Sequence, residues 1–296
     1  MADTQTFHDR DGWIWFDGKL VPWREAKVHV LTHALHYASS VFEGQRAYNG
    51  RIFKLGEHCQ RLRRSAELLG FEVPWNVEQL GDACNEVLTA NAMTDAYMRP
   101  VAWLGSEKMG VSPTGAKVHV AIAAWEWGKY FDADKAAKGI RLTLAPWRRP
   151  APYTAPVHSK ASGLYMIASL SRKHAEDTGF DDALMFDWRG QVAEATGANA
   201  FFIREGVLYT PTPDCFLDGI TRRTVIDLAR RRGVEVVERA IWPEELESFE
   251  QMFLTGSAAE VTPVGSAGPW TFEVGDLTRQ LAKDYDDLVN GRLADR

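Results

Sequence analysis

DALMFDWRGQVAEATGANAFFIREGVLYTPTPDCFLDGITRRTVIDLARRRG (residues 182–233) carries two strand–turn–strand patterns and then a helix. The first hairpin turns on Asp187-Trp188-Arg189-Gly190 and the second on Glu205-Gly206, each between apolar runs. TRRTVIDLARRRG (221–233) reads as a capped amphipathic helix, and VEVVERAI (234–241) as the strand after it. Hairpins with intervening helices predict a largely antiparallel or mixed sheet, not a serial strand–helix–strand layout.

Upstream, IRLTLAPW (140–147) predicts a strand and SGLYMIASLSRKHAEDTG (162–179) a helix closed by Gly179. GKYFDADKAAKG (128–139) is the most polar and least periodic stretch near the middle, which predicts a linker there. The first half opens with two hairpins, WIWFDGKLVPW (13–23) around Asp-Gly and QRAYNGRIFKL (45–55) around Asn-Gly. Both turns need positive φ, which these pairs tolerate. Helices follow at 56–70, ending on Gly70, and from Val77 to Asn91; buried strands follow at 96–105 and 117–125. The chain is thus expected to be α/β with α+β character: a smaller domain at 1–127, a linker at 128–139 and a larger domain at 140–296.

The 296 residues carry 34 basic and 40 acidic side chains, a net charge of −6, which disfavours a dominant nucleic-acid surface. Cys59, Cys84 and Cys215 are sparse and form no C-x-x-C pair, against a disulfide framework or a Cys-rich zinc site. MADTQTFHDRDGW has no apolar core of a signal peptide. The longest apolar run, VHVAIAAW at 118–125, is far short of the ~20 residues that span a bilayer. The expectation is a cytoplasmic protein of a reducing compartment.

Several chemistries lose weight because their motifs are missing: no phosphate loop, no strand–G-x-G-x-x-G–helix unit, no H-E-x-x-H and no G-x-S-x-G. Two segments instead look like helix starts on small residues, Asp218-Gly219-Ile220-Thr221 and Thr255-Gly256-Ser257-Ala258-Ala259. Free N–H groups, a hydroxyl and the positive end of a dipole suit a phosphate there. Ordinary helix capping accounts for either start taken alone. Two of them in one half, with Lys160 just before a helix, point to a phosphorylated cofactor held by lysine. Pyridoxal phosphate needs such a lysine, an acid for its pyridinium nitrogen and phosphate anchors. Glu194 sits in an otherwise apolar or small strand, where a carboxylate is costly to bury without a partner. By spacing alone, Lys160 also reads as a solvated helix start and Glu194 as an edge-strand surface position.

EATGANAF (194–201), then Leu208-Tyr209-Thr210, then Leu217-Asp218-Gly219-Ile220-Thr221-Arg222, resembles the class IV aminotransferase signature. The resemblance is to a branched-chain amino acid aminotransferase, essentially end to end. It is carried by KVHVLTHALHYASSVFEGQRAY (27–48), EHCQRLRRSA (57–66), AYMRP (96–100), MGVSP (109–113), WEWGKY (125–130), HSKASGLY (158–165) and LTGSAAEVTPV (254–264). It implies the fold-type IV architecture, two α/β domains with the active site at their junction. It also implies dimers, often stacked into hexamers.

Residue by residue, the resemblance makes Lys160 the Schiff-base lysine and Glu194 the partner of the pyridinium nitrogen. Tyr165 donates to the phenolic oxygen and Leu217 packs on the ring. Arg61, the amides of Ile220 and Thr221 in the loop through Gly219, and the hydroxyls of Thr221 and Ser257 hold the phosphate. On the substrate side, Phe42, Tyr165, Trp127 and Tyr130 resemble the apolar wall, with Tyr37 and Val111 from a partner subunit. Tyr97 and Arg99 resemble the carboxylate recognition pair, and Ala258 and Ala259 offer N–H groups to the α-carboxylate. The implied reaction moves an amino group between leucine, isoleucine or valine and 2-oxoglutarate by a ping-pong mechanism.

The chain departs from the family pattern at Ser257 in place of threonine, Asp218 in place of proline and Gln45 in place of an aliphatic residue. Asp218 would weaken cofactor binding if it pointed inward, and HSKASGLYM departs from a glycine-rich run, which bears on the pocket floor. Within the fold, the rivals are a D-amino acid or (R)-amine transaminase and a lyase of aminated chorismate; Y-x-R at 97–99 with M-G-V at 109–111 favours the branched-chain group. From other classes, a non-catalytic scaffold has no sequence support. A hydrolase metal site on His33 and His36 lacks an acidic partner at ligand spacing; these histidines are expected to pack beside Tyr37.

Overall fold

The computed structural model describes residues 6–128 and 137–293. They divide into two compact units. One takes the chain through Gly128 together with Ser159–Gly163, and the other takes the remainder. The expected linker at 128–139 falls largely outside the described residues.

The first unit is built on an antiparallel seven-stranded sheet. β1 (Trp13–Phe16) and β2 (Lys19–Pro22) form the first predicted hairpin, β4 (Gln45–Tyr48) and β5 (Arg51–Ile52) the second. Asp17 and Gly18 have φ of 48° and 97°, Asn49 and Gly50 50° and 77°, the left-handed pairs these two-residue turns demand. β3 (Ser40–Phe42) and β4 pair with the long central strand β6 (Ala96–Leu104), which pairs in turn with β7 (Val118–Glu126).

Alternation along β6 splits its side chains between two faces. Ala96, Met98, Ala102 and Leu104 join the core with α2 (Leu55–Leu68) and α3 (Val77–Ala90), through Leu62, Ala66, Leu80, Cys84 and Val87. Each such large apolar side chain contributes roughly 1.5–3 kcal/mol on burial. Asn76 caps α3 in a reciprocal box with Gln79, both bonds 2.9 Å. Tyr97, Arg99, Val101 and Trp103 take the opposite face. There a cavity of about 360 Å³ is lined by Phe16, Arg99, Val101 and Trp103 with Ala34 and Leu35 of α1 (His33–Tyr37).

The second unit holds a mixed nine-stranded sheet. β8 (Ile140–Leu144) runs parallel to β9 (Asp182–Phe186), and β9 turns antiparallel into β10 (Val192–Ala195). β11 (Asn199–Arg204) and β12 (Val207–Thr210) form the other predicted hairpin, with Glu205 and Gly206 at φ of 51° and 76°. β13 (Val236–Glu238) is shorter than predicted and lies parallel to β12. β14 (Gln251–Gly256) and β15 (Glu260–Ala267) pair antiparallel, β15 also pairs with β8, and β16 (Trp270–Thr271) edges β15. Because β10 pairs with β11 as well as β9, the strands β10, β9, β8, β15, β14 and β11 close into a ring.

Helix α4 (Tyr165–Asp177), closed by Gly179 at φ 78°, packs on β9. α5 (Ile220–Arg231) and α6 (Asp276–Val289) pack on each other and on β14 and β15. The mixed, hairpin-rich sheet agrees with the sequence reading. One expectation fails: 255–259 does not begin a helix. Ser257, Ala258 and Ala259 form the loop of the β14–β15 hairpin, with Glu260 left-handed at φ 52°. A three-residue hairpin loop needs one left-handed position, and small residues serve such a turn as well as they serve a helix start.

Candidate active site

Lys160 lies in the first unit, although the chain immediately before Ser159 and the chain after Gly163 belong to the second. Its backbone is fixed twice: its N–H donates to Ser65 Oγ (3.0 Å), and its carbonyl accepts from Phe42 N–H (3.1 Å). Ser159 Oγ donates to the Ser65 carbonyl (2.8 Å), and Ala161 bridges antiparallel to Val41. The segment thus rides on β3 and α2 as a short extra strand. Its ammonium lies 5.0 Å from the centre of the Phe42 ring, and the Arg99 guanidinium 4.7 Å from the same ring. Such contacts hold cations at about 0.5–2 kcal/mol each.

Arg99 and Tyr97 share one face of β6, and Arg99 Nη2 donates to the Tyr97 hydroxyl at 3.0 Å. Tyr97 packs on Trp127 with ring centres 4.9 Å apart. Gly44 makes room for it, because a Cβ there would stand 2.1 Å from Tyr97 Oη. The structure thus brings Lys160, Phe42, Tyr97, Arg99 and Trp127 together. Tyr130 lies outside the described residues. Tyr37 rests on His33 (4.7 Å) and stays 42% exposed, and Val111 is 82% exposed. The ring nitrogens of His33 meet Ser39 Oγ (2.6 Å) and the Gly110 carbonyl (2.9 Å), so this histidine is a packing residue beside Tyr37, as expected.

Arg61 projects from α2 onto a carboxylate that sequence reasoning missed. Glu43 is fully buried and accepts Arg61 Nε (2.7 Å), Arg61 Nη2 (2.8 Å) and His58 Nδ1 (2.7 Å). Burial opposes ionisation of Glu43, but the Arg61 guanidinium and the His58 hydrogen bond outweigh it and hold the carboxyl well below the usual range. Burial also pushes the His58 imidazolium below its ordinary value against the pull of Glu43. His58 is therefore a neutral ring donating Nδ1–H to an ionised Glu43. A signal was present: a carboxylate in the buried run VFEG is costly without partners, the argument already applied to Glu194.

In the second unit, Glu194 on β10 stands opposite Asn199 on β11, which stands opposite Thr255 on β14. Paired residues face the same way, so the three side chains form a row across adjacent strands. Asn199 Nδ2 donates to Glu194 Oε2 (3.2 Å) and to the Leu217 carbonyl (3.0 Å), and Arg149 Nε lies 3.4 Å from Glu194 Oε1. Thr255 Oγ1 is buried with no hydrogen-bond partner among the described residues. Gly219 is forced to lack a side chain, since a Cβ would fall 2.2 Å from Asn199 Oδ1. It is also the N-cap of α5, and no side chain caps that helix, whose first residues Ile220 and Thr221 are buried. Uncapped N–H groups at a dipole's positive end are an anion cup.

Asp218 does not point into that cup. It pairs with Arg222 Nη1 at 2.9 Å and with Arg223 Nη1 at 3.4 Å. Arg222 is fully buried and also meets Glu238 (2.8 Å) and the Pro211 carbonyl (3.1 Å). Ser257, Ala258 and Ala259 occupy the half-buried hairpin loop, so any N–H groups they offer come from a turn and carry no helix dipole. Tyr165 is the first residue of α4. Arg149, Asn199, Glu43 and His58 were not singled out from sequence, because their partners lie on other elements of the fold.

The family model of amino-transferase class IV matches residues 40–267. A protein of Rickettsia bellii, described as a "probable branched-chain-amino-acid aminotransferase", is 46% identical over 94% of this chain and 96% of its own. Among solved structures, the branched-chain amino acid aminotransferase of Escherichia coli superposes with a TM-score of 0.93 at 38% identity, covering 97% of each chain. The branched-chain amino acid aminotransferase of Thermobaculum terrenum, solved in its pyridoxal phosphate form, gives 0.87 at 30% identity over 95% of each chain. With its family model spanning most of its length and such relatives matched nearly end to end, the chain belongs to the class IV aminotransferases, in the branched-chain amino acid aminotransferase family.

Proposed function

We propose that this protein is a pyridoxal phosphate-dependent transaminase that exchanges the amino group of branched-chain L-amino acids with 2-oxoglutarate. The observation that carries the reading is Asn199, whose one amide donates both to Glu194 and to the loop entering the α5 cup. An acid for a ring nitrogen and a cup for a phosphate are thereby held as one piece. The buried Thr255 hydroxyl of the same row, without a hydrogen-bond partner among the described residues, adds a polar group to that piece.

When bound, pyridoxal phosphate supplies the electron sink for negative charge at the substrate's α-carbon. Lys160 would hold the cofactor through its amine, and its Nζ is the group that would move the proton at that α-carbon. Glu194, oriented by Asn199 and Arg149, keeps the ring nitrogen protonated. Arg61, the N–H groups of Ile220 and Thr221, and the hydroxyls of Thr221 and Ser257 hold the phosphate; Leu217 packs on the ring and Tyr165 donates to its phenolic oxygen. Phe42, Trp127 and Tyr130 supply the apolar wall, and the N–H groups of Ala258 and Ala259 take the α-carboxylate. Arg99, steadied by Tyr97 and Phe42, takes the second carboxylate of glutamate. A branched apolar side chain makes no such bond and rests on the wall instead.

The working form is at least a homodimer. Val28, Val30, Leu31, Leu35 and Tyr37 are each more than 40% exposed, as is Val111, an apolar surface that a second copy would cover while receiving Tyr37 and Val111 into its site. No described helix is long and apolar enough to cross a membrane, and the three cysteines are free and buried, which suits a reducing cytoplasm. The test is a donor panel with 2-oxoglutarate as acceptor. L-leucine, L-isoleucine and L-valine should each yield L-glutamate, and D-alanine or an (R)-arylamine should not. Turnover confined to the last two would overturn the substrate class.

A further inference from the structure

We infer that Glu43 is a positioning residue that sets the direction of the Arg61 guanidinium toward the cofactor phosphate, an inference that rests on the cofactor role given to Arg61 above. Glu43 is the middle of a three-residue strap in which each member serves a different functional group. Phe42 lies beneath Lys160 and Arg99, and Gly44 clears the space for Tyr97 Oη. Glu43 itself donates its N–H to the Pro100 carbonyl (2.8 Å), so its backbone is tied to β6 next to Arg99. Its carboxylate accepts three bonds, two from Arg61 and one from His58.

A guanidinium is a rigid planar fork, so fixing Nε and Nη2 on one carboxylate fixes the direction of the whole group. The charges decide what Arg61 then has to offer. Glu43 is anionic, Arg61 cationic and His58 neutral, so the cluster carries no net charge. A phosphate meets an oriented hydrogen-bonding edge inside a neutral cluster, and orientation, more than charge, is what it reads. A lysine at position 61 would keep the cation and lose the edge. A purely structural ion pair that ties α2 to the strap would instead affect folding and every ligand alike.

The test measures dissociation constants of pyridoxal phosphate and of pyridoxal, which lacks the phosphate, for the full chain stripped of cofactor. The proteins are wild type, Glu43→Gln, Arg61→Lys and the double variant, with thermal unfolding of each as the folding control. The expected result is a loss of about 10- to 100-fold in pyridoxal phosphate affinity for Glu43→Gln, with pyridoxal changed by less than about threefold. The double variant should be no more than about threefold weaker than Arg61→Lys alone, because the two residues act as one device. Equal losses for both ligands, or additive losses in the double variant, would overturn the inference. If Glu43→Gln shows no unfolding transition, Arg61→Lys carries the test alone, and an affinity within about threefold of wild type would overturn it. Wild-type protein that binds neither ligand would instead fail the cofactor reading itself, and the inference with it.

Discussion

Truncating Arg99 to alanine separates the two substrates that one site must accept. Arg99 is held by the Tyr97 hydroxyl at 3.0 Å and by the Phe42 ring at 4.7 Å, contacts that aim its guanidinium without neutralising it. A glutamate side-chain carboxylate would gain two charge-assisted hydrogen bonds there, each worth about 1.5–3 kcal/mol. Their loss totals roughly 3–6 kcal/mol, or about 200- to 25,000-fold in kcat/KM for glutamate. Leucine loses only the packing that Arg99 gives Phe42, about 0.5–1 kcal/mol, or two- to fivefold. The assay follows the two half-reactions separately by cofactor absorbance, so that neither substrate masks the other. A ratio of losses near one would refute the role given to Arg99. Losing both activities together with the unfolding transition would mean that Arg99 acts as a structural residue.

Three further outcomes follow from particular contacts. Gly44→Ala places a methyl 2.1 Å from Tyr97 Oη and must displace that ring, so glutamate turnover should fall about 10-fold or more while thermal stability drops by about 1–3 kcal/mol; unchanged kinetics would count against the Tyr97–Arg99 pair. Asp218→Asn should cost about 1–2 kcal/mol of stability, since Arg222 keeps Glu238 and the Pro211 carbonyl, with pyridoxal phosphate affinity changed less than about threefold. A large gain in affinity would show that Asp218 had opposed the phosphate. Stability should also fall on acidification. His58 is held below its ordinary value of 6.5, so the unfolded chain binds its proton first and stability declines as the pH falls through 6.5. Glu43 is held below 4.5, so its contribution is complete above 4.5 and is lost as the pH drops from there through its folded value. Urea denaturation of the cofactor-free chain across that range should show a smaller loss of stability below pH 6.5 in His58→Gln than in the wild type.

Much of the architecture was legible because it rests on local signals. Asp17-Gly18, Asn49-Gly50 and Glu205-Gly206 have the left-handed turns that their residue types imply, and Gly70 and Gly179 close the predicted helices. The misreading at 255–259 has a physical origin. Gly-Ser-Ala-Ala satisfies a helix start and a hairpin loop equally well, and the choice is made by β15 pairing with β14 from Gly256–Glu260 onward. Nor did composition reveal that Ser159–Gly163 returns to the first unit, because that return depends on Ser65 and Ser40, 94 and 122 positions from the serines they bind. The site residues divide in the same way. Lys160, Glu194 and Thr221 stand out through motif, whereas Glu43, Arg149 and Asn199 gain meaning only from partners that the fold supplies. Asp218 shows the converse: its charge was visible in sequence, but its direction is set by the buried Arg222.

The proposed site, in which Lys160 and Glu194 act on the same cofactor, is to serve both a branched apolar amino acid and glutamate. The near-ultraviolet and visible spectrum of the purified protein, recorded before and after separate additions of L-leucine and L-glutamate, checks that proposal. The expected protein is yellow with a lysine-bound cofactor that each amino acid alone converts to the pyridoxamine form, and neither should convert a Lys160→Ala variant at the wild-type rate. A protein that stays colourless after pyridoxal phosphate is added, or one whose colour only D-alanine or an (R)-arylamine discharges, would contradict that proposal.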